Sequence, residues 1–452
     1  MSRCGWRSCT CSSEREESTL TKLKINGGTV VDPASGVDET GLDLLLVDGR
    51  VAERGRDLIT SDDAEVIDAT GLVVAPGFID IHVHLREPGG EESETIASGC
   101  AAAAAGGFTA LACMPNTEPV NDDPAVTRFI LERAAEANGV RVWPIAAVTK
   151  GSLGEELNEY GLLEEAGAVA LSDDGKPVGS AEVMRRALEY ASQFDLVVID
   201  HLEEPTMSRG WSMNEGAVAT RLALLGMTAV GEEIMLVRDA ILAALTGARV
   251  HGAHLSTAGA LQRLREEKAR GVAITGEVTP HHFALTDEAV AGYDTNTKMN
   301  PPLRTEADRK AVLEALADGT LDCIASDHAP HHVDKKQVEY DRAANGVIGV
   351  ETTVPLVVDR LLHGGVVDRM RLVELLSTNP ARIIGVPGGS LAVGAPADVT
   401  LLDPDREVQI RAAGFRSAGR NTPFEGWTLK GAPVATIVGG RVVWRREDAA
   451  AS

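Results

Sequence analysis

Two histidines one residue apart are the first side chains in the chain that could share one chemical task. In the segment Asp80-Ile81-His82-Val83-His84, an extended backbone turns His82 and His84 to the same face. Two neutral imidazoles on one face can hold a divalent cation. The pair alone is weak evidence for a metal, because histidines on exposed strands are common.

Four further apolar runs each end near residues with a carboxylate or an imidazole side chain. These residues are Asp173 and Asp174, Asp200 and His201, His254, and Asp327 and His328. Burying such a set together without a cation would be costly, so a metal centre is the simplest explanation. With one bridging carboxylate, the set suits two Zn²⁺ ions roughly 3.5–4 Å apart that share a hydroxide, an arrangement that hydrolyses amides and phosphates. The other histidines are interpreted as packing or supporting groups (His281, His282, His332) or as surface residues (His251, His363).

The elements that must position these residues alternate along the middle of the chain. We find eight strand-like runs: Val73–His84, Phe108–Pro115, Val140–Val148, Val169–Asp174, Leu196–His201, Val250–Leu255, Ala273–Thr279 and Cys323–Ala329. Helical patterns lie between them, among them Ala125–Ala137, Ala181–Gln193, Thr257–Arg270 and Glu306–Ala317. Eight such units predict an α/β fold, a (β/α)₈ TIM barrel, whose enzymes carry their sites at the C-terminal ends of the strands. A doubly wound open sheet is the alternative, but no G-x-G-x-x-G follows the first strand.

Short β-rich segments precede and follow the predicted barrel, one group near each end of the chain. Leu23–Val31 and a hairpin around Asp48-Gly49 lie early, and Ala397–Leu402 and Val434–Trp444 lie late. We therefore expect a small β-sandwich domain formed by both ends. The predicted division is a composite β domain at 20–75 plus 387–446, a barrel at 76–386 and a disordered extension at 1–19.

Composition limits the partners and the compartment. The chain has 452 residues and a formal charge of −24, which repels nucleic acid and anionic membranes. Its longest apolar run is shorter than the ~20 residues of a bilayer span, and the polar N-terminus lacks the apolar stretch of a signal peptide. The six cysteines (Cys4, Cys9, Cys11, Cys100, Cys113, Cys323) form no disulfide framework. A cytoplasmic location is expected, and the first three cysteines fit a disordered extension better than a metal site.

Two long segments resemble the signature sequences of dihydroorotases. They are Asp80–Gly90 (DIHVHLREPGG) and Ala325–Lys335 (ASDHAPHHVDK). Shorter similarities are found at Met114–Thr117, Ser172–Gly175, Asn214–Gly216, His254–Thr257, Pro280–His282 and Lys298–Arg304. The resemblance covers Leu20 to Arg445 and implies the same barrel and composite β domain.

The resemblance also implies an activity and a role for each site residue. The activity is the reversible closure of N-carbamoyl-L-aspartate to L-dihydroorotate in de novo pyrimidine biosynthesis, through a hydroxide that bridges two zinc ions. The implied ligands are His82, His84 and Asp327 for one zinc, His201 and His254 for the other, and Asp174 as the bridge. Asp327 would also carry the proton. The implied substrate contacts are His84, Arg86, Asn116, Asn300, His331, Asn345 and Gly346, among which an arginine fork suits the substrate's carboxylate.

Some departures from the family pattern leave alternatives open. Related dihydropyrimidinases and allantoinases bridge their metals with a carboxylated lysine, whereas here Asp173, Asp174 or a modified Lys176 could serve, and a plain carboxylate is favoured. Asn345-Gly346 stands where many bacterial dihydroorotases have Phe-Gly, and Leu202-Glu203-Glu204 replaces the more usual Cys-Glu-Asp.

Two other functions compete with this prediction. One is an allantoinase-like or hydantoinase-like hydrolase, and the other is a catalytically silent subunit that scaffolds aspartate transcarbamoylase. The sequence leaves open whether the chain forms a homo-oligomer, associates with aspartate transcarbamoylase, or uses a metal other than zinc. The charged segment 332–346 is predicted to be a mobile loop that covers the substrate.

Overall fold

The computed structural model describes residues 21–62, 64–137 and 139–447. The predicted disordered extension at 1–19, with Cys4, Cys9 and Cys11, lies outside these residues. Within the described part of the chain, no helix combines the length and the apolar character needed to cross a membrane.

The described residues form eighteen strands and twelve α-helices. The strands are β1 (Lys22–Asp32), β2 (Val37–Val47), β3 (Arg50–Gly55), β4 (Glu65–Asp68), β5 (Val73–Pro76), β6 (Phe78–Val83), β7 (Phe108–Cys113), β8 (Arg141–Ala146), β9 (Ala170–Leu171), β10 (Val197–Asp200), β11 (Met213–Asn214), β12 (Gly226–Met227), β13 (Val250–Gly252), β14 (Ile274–Val278), β15 (Cys323–Ile324), β16 (Val399–Gln409), β17 (Thr428–Val438) and β18 (Arg441–Arg445). The helices are α1 (Ile96–Ala105), α2 (Pro124–Ala137), α3 (Tyr160–Ala166), α4 (Ala181–Ala191), α5 (Ala217–Leu222), α6 (Val230–Thr246), α7 (Ala258–Ala269), α8 (Pro280–Ala284), α9 (Glu306–Ala317), α10 (Thr353–Val357), α11 (Arg369–Val373) and α12 (Asn379–Ile384).

Eight parallel strands form the barrel, in the order β6-β7-β8-β9-β10-β13-β14-β15. The two end strands meet beyond β6, where Val83 pairs in parallel with His328 and the amide of His84 donates to the carbonyl of His328 at 2.8 Å. Inside the ring, Ile79, Ile145 and Ile199 belong to one apolar cluster. The predicted (β/α)₈ barrel is thus confirmed.

Local signals begin the outer helices where the sequence predicted them. The Thr257 hydroxyl accepts from the amide of Ala260 and begins α7. Thr305 and Asp308 form a capping box at the start of α9. Such caps satisfy amide groups that have no partner within the helix.

Strands from both chain ends form one mixed sheet, in the order β18-β17-β16-β5-β1-β2-β3, with β4 beside β1. The predicted hairpin is confirmed, since Asp48 (φ 47°) and Gly49 (φ 75°) join β2 to β3 with both residues in the left-handed region that such a turn requires. This sheet has its own apolar core and contacts the barrel, for example where Arg141 binds Asp398 at 2.7 and 3.0 Å.

The predicted strand Val73–His84 is in fact two strands that belong to different sheets. β5 pairs with β1 and β16 in the mixed sheet, whereas β6 begins the barrel. Gly77 separates them, and a Cβ there would lie 2.1 Å from the Thr109 hydroxyl oxygen. Only glycine lets the chain pass this close from one sheet to the other.

Candidate metal centre and active site

His82 and His84 lie at the end of β6 and face two carboxylates on the C-terminal rim of the barrel. His82 Nε2 is 3.3 Å from Asp174 Oδ1 and 3.6 Å from Asp327 Oδ1. His84 Nε2 is 3.5 Å from Asp174 Oδ2 and 3.0 Å from Asp327 Oδ1. All four side chains are buried. The strand ends therefore bring two imidazoles and two carboxylates to one point.

A second pair of imidazoles lies on the other side of Asp174. His201 follows β10 and His254 follows β13, and His201 Nδ1 lies 2.9 Å from His254 Nε2. Asp174 Oδ1 is 3.6 Å from His201 Nδ1 and 3.7 Å from His254 Nε2. Asp174 is thus within reach of both groups of ligands.

The two other candidates for a bridge point elsewhere. Asp173 Oδ1 accepts from the amide of Thr149 at 3.1 Å, and its other oxygen binds the Thr149 hydroxyl. The Lys176 side chain is exposed. Of these three residues, Asp174 alone lies among the four imidazoles.

The donor set passes a test for a divalent cation. Among the described residues, His82 Nε2 and Asp174 Oδ1 are buried without a hydrogen-bond partner although they face each other. Ligand atoms about 2.0–2.2 Å from a tetrahedral zinc ion lie roughly 3.4 Å from one another, close to the distances found here. These residues therefore fit a metal.

The electrostatics of the cluster also call for positive charge. Burial opposes a charge on His82, but the carboxylates of Asp174 and Glu277 outweigh it and hold the pKa of His82 well above its usual value. Burial likewise opposes ionisation of Asp174, yet His82, His201 and His254 keep its pKa well below the usual range. A metal ion would supply at this point the positive charge that protonated imidazoles otherwise provide.

Glu277, a buried acid that the sequence analysis missed, contacts the nitrogen of His82 that faces away from Asp174. His82 Nδ1 lies 2.6 Å from Glu277 Oε1, and Glu277 Oε2 lies 3.3 Å from His251 Nε2. His251 Nδ1 is in turn 2.7 Å from the Thr275 hydroxyl. A carboxylate on the far nitrogen holds a histidine's ring and tautomer for metal binding. The available signal was a glutamate inside the otherwise apolar run Ala273–Thr279.

Two predictions for the remaining histidines are wrong. His251 was expected on the surface but is buried, because β13 turns this position toward the acid of β14. His332 was expected to pack or support ligands but is exposed and faces Asp334. His281 and His282 are buried, and His363 is on the surface, as predicted.

A second unpredicted acid, Glu203, contacts His201 in the segment that departs from the family pattern. His201 Nε2 lies 2.9 Å from Glu203 Oε2, which also accepts from Asn300 Nδ2 at 2.8 Å. Residue 203 is acidic both here and in the more usual Cys-Glu-Asp. The departure therefore leaves the partner of His201 unchanged.

The rim encloses a cavity of about 210 Å³. It is lined by His84, Arg86, Asn116, Asp174, Gly175, His201, His254, Asn300, Asp327, Ala329, His331, Asn345 and Gly346. Every ligand and substrate contact implied by the resemblance lines this cavity except His82, whereas Asp173, Asp200 and His328 from the strand ends do not. Gly175 and Ala329 are the additional lining residues.

Arg86 presents its guanidinium to this cavity rather than to a neighbouring acid. Its Nε donates to the carbonyl of Pro330 at 3.2 Å. Two acids lie close to Arg86 in the sequence, and each has another partner. Glu87 binds Arg133 at 2.9 Å, and Glu91 accepts from the amide of Gly89 at 2.9 Å. This arrangement leaves the two terminal nitrogens of the Arg86 guanidinium available to an anion.

The part of the wall formed by His331, Asn345 and Gly346 carries no charge and is closely packed. Burial, with Arg86 nearby, lowers the pKa of His331 to about 3, and its Nε2 donates to the carbonyl of Asn345 at 2.6 Å. Gly346 has φ 116°, and a Cβ there would lie 2.6 Å from Ala329 Cβ. A glycine is therefore required at 346.

Three non-glycine residues of the rim have positive φ values, a backbone conformation that residues with a side chain rarely adopt. Arg86, His254 and Asp327 have φ values of 62°, 33° and 46°. Such conformations cost of order 1–3 kcal/mol each and cluster at functional sites, where the surrounding structure enforces them.

Segment 332–346, predicted to be a mobile cover, is anchored at its centre. Lys336 Nζ donates to the carbonyls of Thr295 at 2.9 Å and Ala344 at 2.8 Å. The Tyr340 hydroxyl donates to the carbonyl of Thr297 at 3.3 Å. Movement of the whole segment would have to break these contacts, and its mobility stays a prediction.

Comparisons with known proteins show the family to which the chain belongs. Residues 71–260 match the Dihydro-orotase-like family model. A dihydroorotase of Pelotomaculum thermopropionicum is 56% identical over 93% of this chain and 98% of its own, and one of Syntrophotalea carbinolica is 52% identical over 94% and 100%. Among solved structures, the L-hydantoinase (dihydropyrimidinase) of Arthrobacter aurescens aligns with a TM-score of 0.84 at 25% identity, over 94% of this chain and 96% of its own. The chain therefore belongs to the dihydroorotase family.

Proposed function

We propose that the rim cavity binds two zinc ions and interconverts N-carbamoyl-L-aspartate and L-dihydroorotate, a step of de novo pyrimidine biosynthesis. The chain is a cyclic amide hydrolase with the activity of its family. The observation that carries the assignment to particular residues is the convergence of four imidazoles, two carboxylates and the Arg86 guanidinium at a single cavity.

In this proposal, the ligands divide into two groups around Asp174. His82, His84 and Asp327 would hold one ion, His201 and His254 would hold the other, and Asp174 would lie within reach of both. Zinc held by these residues would supply a water molecule with a pKa of about 7 and a Lewis acid for the amide carbonyl. Glu277 and Glu203 orient His82 and His201 through their far nitrogens.

Asp327 moves the proton. Its carboxylate lines the cavity and is held by His84 Nε2 at 3.0 Å. In the hydrolytic direction it accepts a proton from the attacking water and delivers it to the ring nitrogen that leaves. In the biosynthetic direction it takes the proton from the attacking carbamoyl nitrogen and gives it to the departing oxygen.

Arg86 binds the carboxylate that distinguishes this substrate. A guanidinium can donate two parallel hydrogen bonds to a carboxylate, and such local positive charge is needed in a protein of net charge −24. Asn116, Asn300, His331 and the backbone of Asn345 and Gly346 complete the proposed contacts. Asn300 Oδ1 is buried without a partner among the described residues, so it has an acceptor to offer to a ring N–H.

The competing functions are less well supported. The hydantoinase-like alternative rests on structural neighbours of about one-quarter identity, whereas the dihydroorotases share about half of their residues with this chain. A silent subunit would be expected to have lost metal ligands, but each one is present. A cytoplasmic location and an association with aspartate transcarbamoylase stay predictions.

One assay tests the proposed function. Purified protein is given dihydroorotate, allantoin and dihydrouracil, and its metals are measured by elemental analysis. We expect dihydroorotate to be turned over far faster than the other two substrates, and we expect two divalent ions per chain. Preferred turnover of either other substrate, or active protein without metal, would contradict the proposal, and a single ion would remove His201 and His254 from the ligand set.

A further inference from the structure

Lys336 is buried in the middle of the segment 332–346, and its ammonium group donates to three backbone carbonyls. The acceptors are the carbonyls of Thr295 at 2.9 Å, Lys298 at 3.3 Å and Ala344 at 2.8 Å. A lysine ammonium has three N–H donors and no acceptor, so these carbonyls match its whole hydrogen-bonding capacity. One buried nitrogen therefore joins three points of the backbone.

The three carbonyls belong to two segments that are distant in the chain and meet at the cavity. The first segment, 295–300, ends at Asn300, and the second, 344–346, ends at Gly346; both of these residues line the cavity. The amide of Gly346 donates to the carbonyl of Lys298 at 3.0 Å, and the same carbonyl accepts from the ammonium. The ammonium therefore lies where the two segments meet.

A lysine is a costly side chain for this position. Burial, together with the nearby charge of Lys298, lowers the pKa of Lys336 to about 7. Among the described residues, no carboxylate lies within ion-pair distance of Lys336 Nζ, so the buried charge is compensated by carbonyl dipoles. Lysines are rarely buried unless they are paired. A side chain needed only to fill this space would be apolar, so the contacts of the ammonium account for the lysine.

Another buried lysine, Lys298, uses its side chain for a more local contact. Its Nζ donates to the carbonyl of Asp341 at 2.8 Å and lies 5.9 Å from the centre of the Tyr340 ring. Neither of these two partners lines the cavity. In the described part of the chain, the hydrogen bonds that join residues 295–300 to residues 344–346 are the one from the Gly346 amide and those through the Lys336 ammonium.

We propose that Lys336 is a positioning residue for substrate binding, which holds residues 295–300 against residues 344–346 and so fixes Asn300 relative to Gly346. This role rests on the proposed function, in which Asn300 and Gly346 contact the substrate. Lys336 itself does not line the cavity. Its loss should therefore weaken substrate binding more than the chemical step, which raises KM and leaves kcat little changed.

Steady-state kinetics of Lys336→Met test the proposal. Methionine keeps an unbranched, buried side chain but donates no hydrogen bond. The KM for dihydroorotate should rise about tenfold or more, whereas kcat should stay within about threefold of the parent and the metal content should not change. Lys335→Met is the matched control, because Lys335 is exposed and pairs with Glu92 at 3.0 Å, and it should leave both constants unchanged.

Hydrogen exchange followed by mass spectrometry, without substrate, gives a second readout. Peptides that cover residues 295–300 and 344–346 should exchange faster in Lys336→Met than in the parent, and peptides from α7 should not change. This measurement does not depend on which cyclic amide is the substrate. If the parent turns over allantoin or dihydrouracil instead of dihydroorotate, the proposed function fails, and the exchange rates and the KM for that other substrate still decide the role of Lys336.

Four results would overturn the proposal: an unchanged KM in Lys336→Met, an equal loss in kcat, the same rise in KM in Lys335→Met, or unchanged exchange in both segments. The melting temperature of each variant shows whether it is folded. If Lys336→Met does not fold, Lys336→Gln replaces it. The glutamine amide keeps two of the three donors, so a smaller rise in KM with faster exchange in the same two segments is then expected.

Discussion

Asp327 and His328 are neighbours in the chain but belong to two buried clusters of opposite character. Asp327 faces His82, His84 and Asp174 in the metal cluster, where His82 Nε2 and Asp174 Oδ1 lack hydrogen-bond partners among the described residues. His328 faces Glu94 at 3.2 Å and accepts at Nδ1 from the amide of Gly349 at 3.1 Å. We call Glu94, Ser98, His328 and Ser417 the Glu94 cluster.

The metal cluster and the Glu94 cluster both contain buried carboxylates and histidines, but they differ in how these groups are hydrogen-bonded. In the Glu94 cluster, both carboxylate oxygens are satisfied by Ser98, His328, Ser417 and the amide of Ala418. The Glu94 cluster links the barrel to the segment before β17. A buried cluster that satisfies itself contributes to stability, whereas one that leaves facing nitrogen and oxygen atoms open is suited to bind a cation. The following predictions test this distinction, from the largest expected effect to the smallest.

Asp327→Asn should lower turnover in both directions by roughly 10²–10⁴-fold, because the amide keeps the shape of the side chain but cannot accept the proton. Steady-state kinetics with dihydroorotate and carbamoyl aspartate measure the loss. An unchanged melting temperature is the control for folding. Activity within a few-fold of the parent would remove Asp327 from proton transfer.

Arg86→Lys should reduce kcat/KM for dihydroorotate by about ten- to a hundredfold, since losing one charge-assisted hydrogen bond costs on the order of 1.5–3 kcal/mol. Any slow turnover of dihydrouracil, which lacks the carboxylate, provides the matched comparison and should not change. Equal losses on both substrates, or none, would assign Arg86 a structural role.

Glu277→Gln should weaken metal binding about 10–100-fold, because the neutral amide supports His82 less well than a carboxylate does. The rate at which a chelating indicator removes metal measures the effect without reference to activity. Glu94→Gln is the control, and it should leave that rate unchanged. Identical metal release from the parent and Glu277→Gln would show that the acid serves packing alone.

Glu94→Gln should instead lower the free energy of unfolding by about 1–3 kcal/mol at pH 7.5. Burial raises the pKa of Glu94, but hydrogen bonds from His328, Ser417 and Ser98 outweigh it, so the pKa is lowered. A lowered folded-state pKa contributes stability that is present above the unfolded value of about 4.5 and is lost as the pH falls below it. The difference between metal-free parent and variant should therefore stay constant from pH 7.5 to about pH 5 and shrink as the pH falls below about 4.5, as measured by denaturant unfolding. A difference that does not depend on pH would contradict the account.

The resemblance to dihydroorotases implied Arg86, Asn116 and the other substrate contacts, whereas the sequence pattern by itself determined the barrel, the hairpin and the histidines and aspartates at the strand ends. Those features depend on local periodicity and on residues at strand ends, and parallel strands must bring their ends to one rim. His82 and His84 share a face because the side chains of a strand alternate with period two. The Asp48-Gly49 turn is local as well, since its residue types tolerate the backbone that the turn needs.

Only the tertiary structure decided the contacts between residues far apart in the chain. Glu277 and His251 lie on neighbouring strands, and neither position reveals that its partner is His82, 195 residues before Glu277. The division of Val73–His84 depends on the approach of Thr109 to Gly77. The side of α6 that faces outward is likewise fixed by how α4 and α7 pack beside it. Periodicity shows that side chains share a face, but which face meets solvent or a metal site depends on the packing of distant segments.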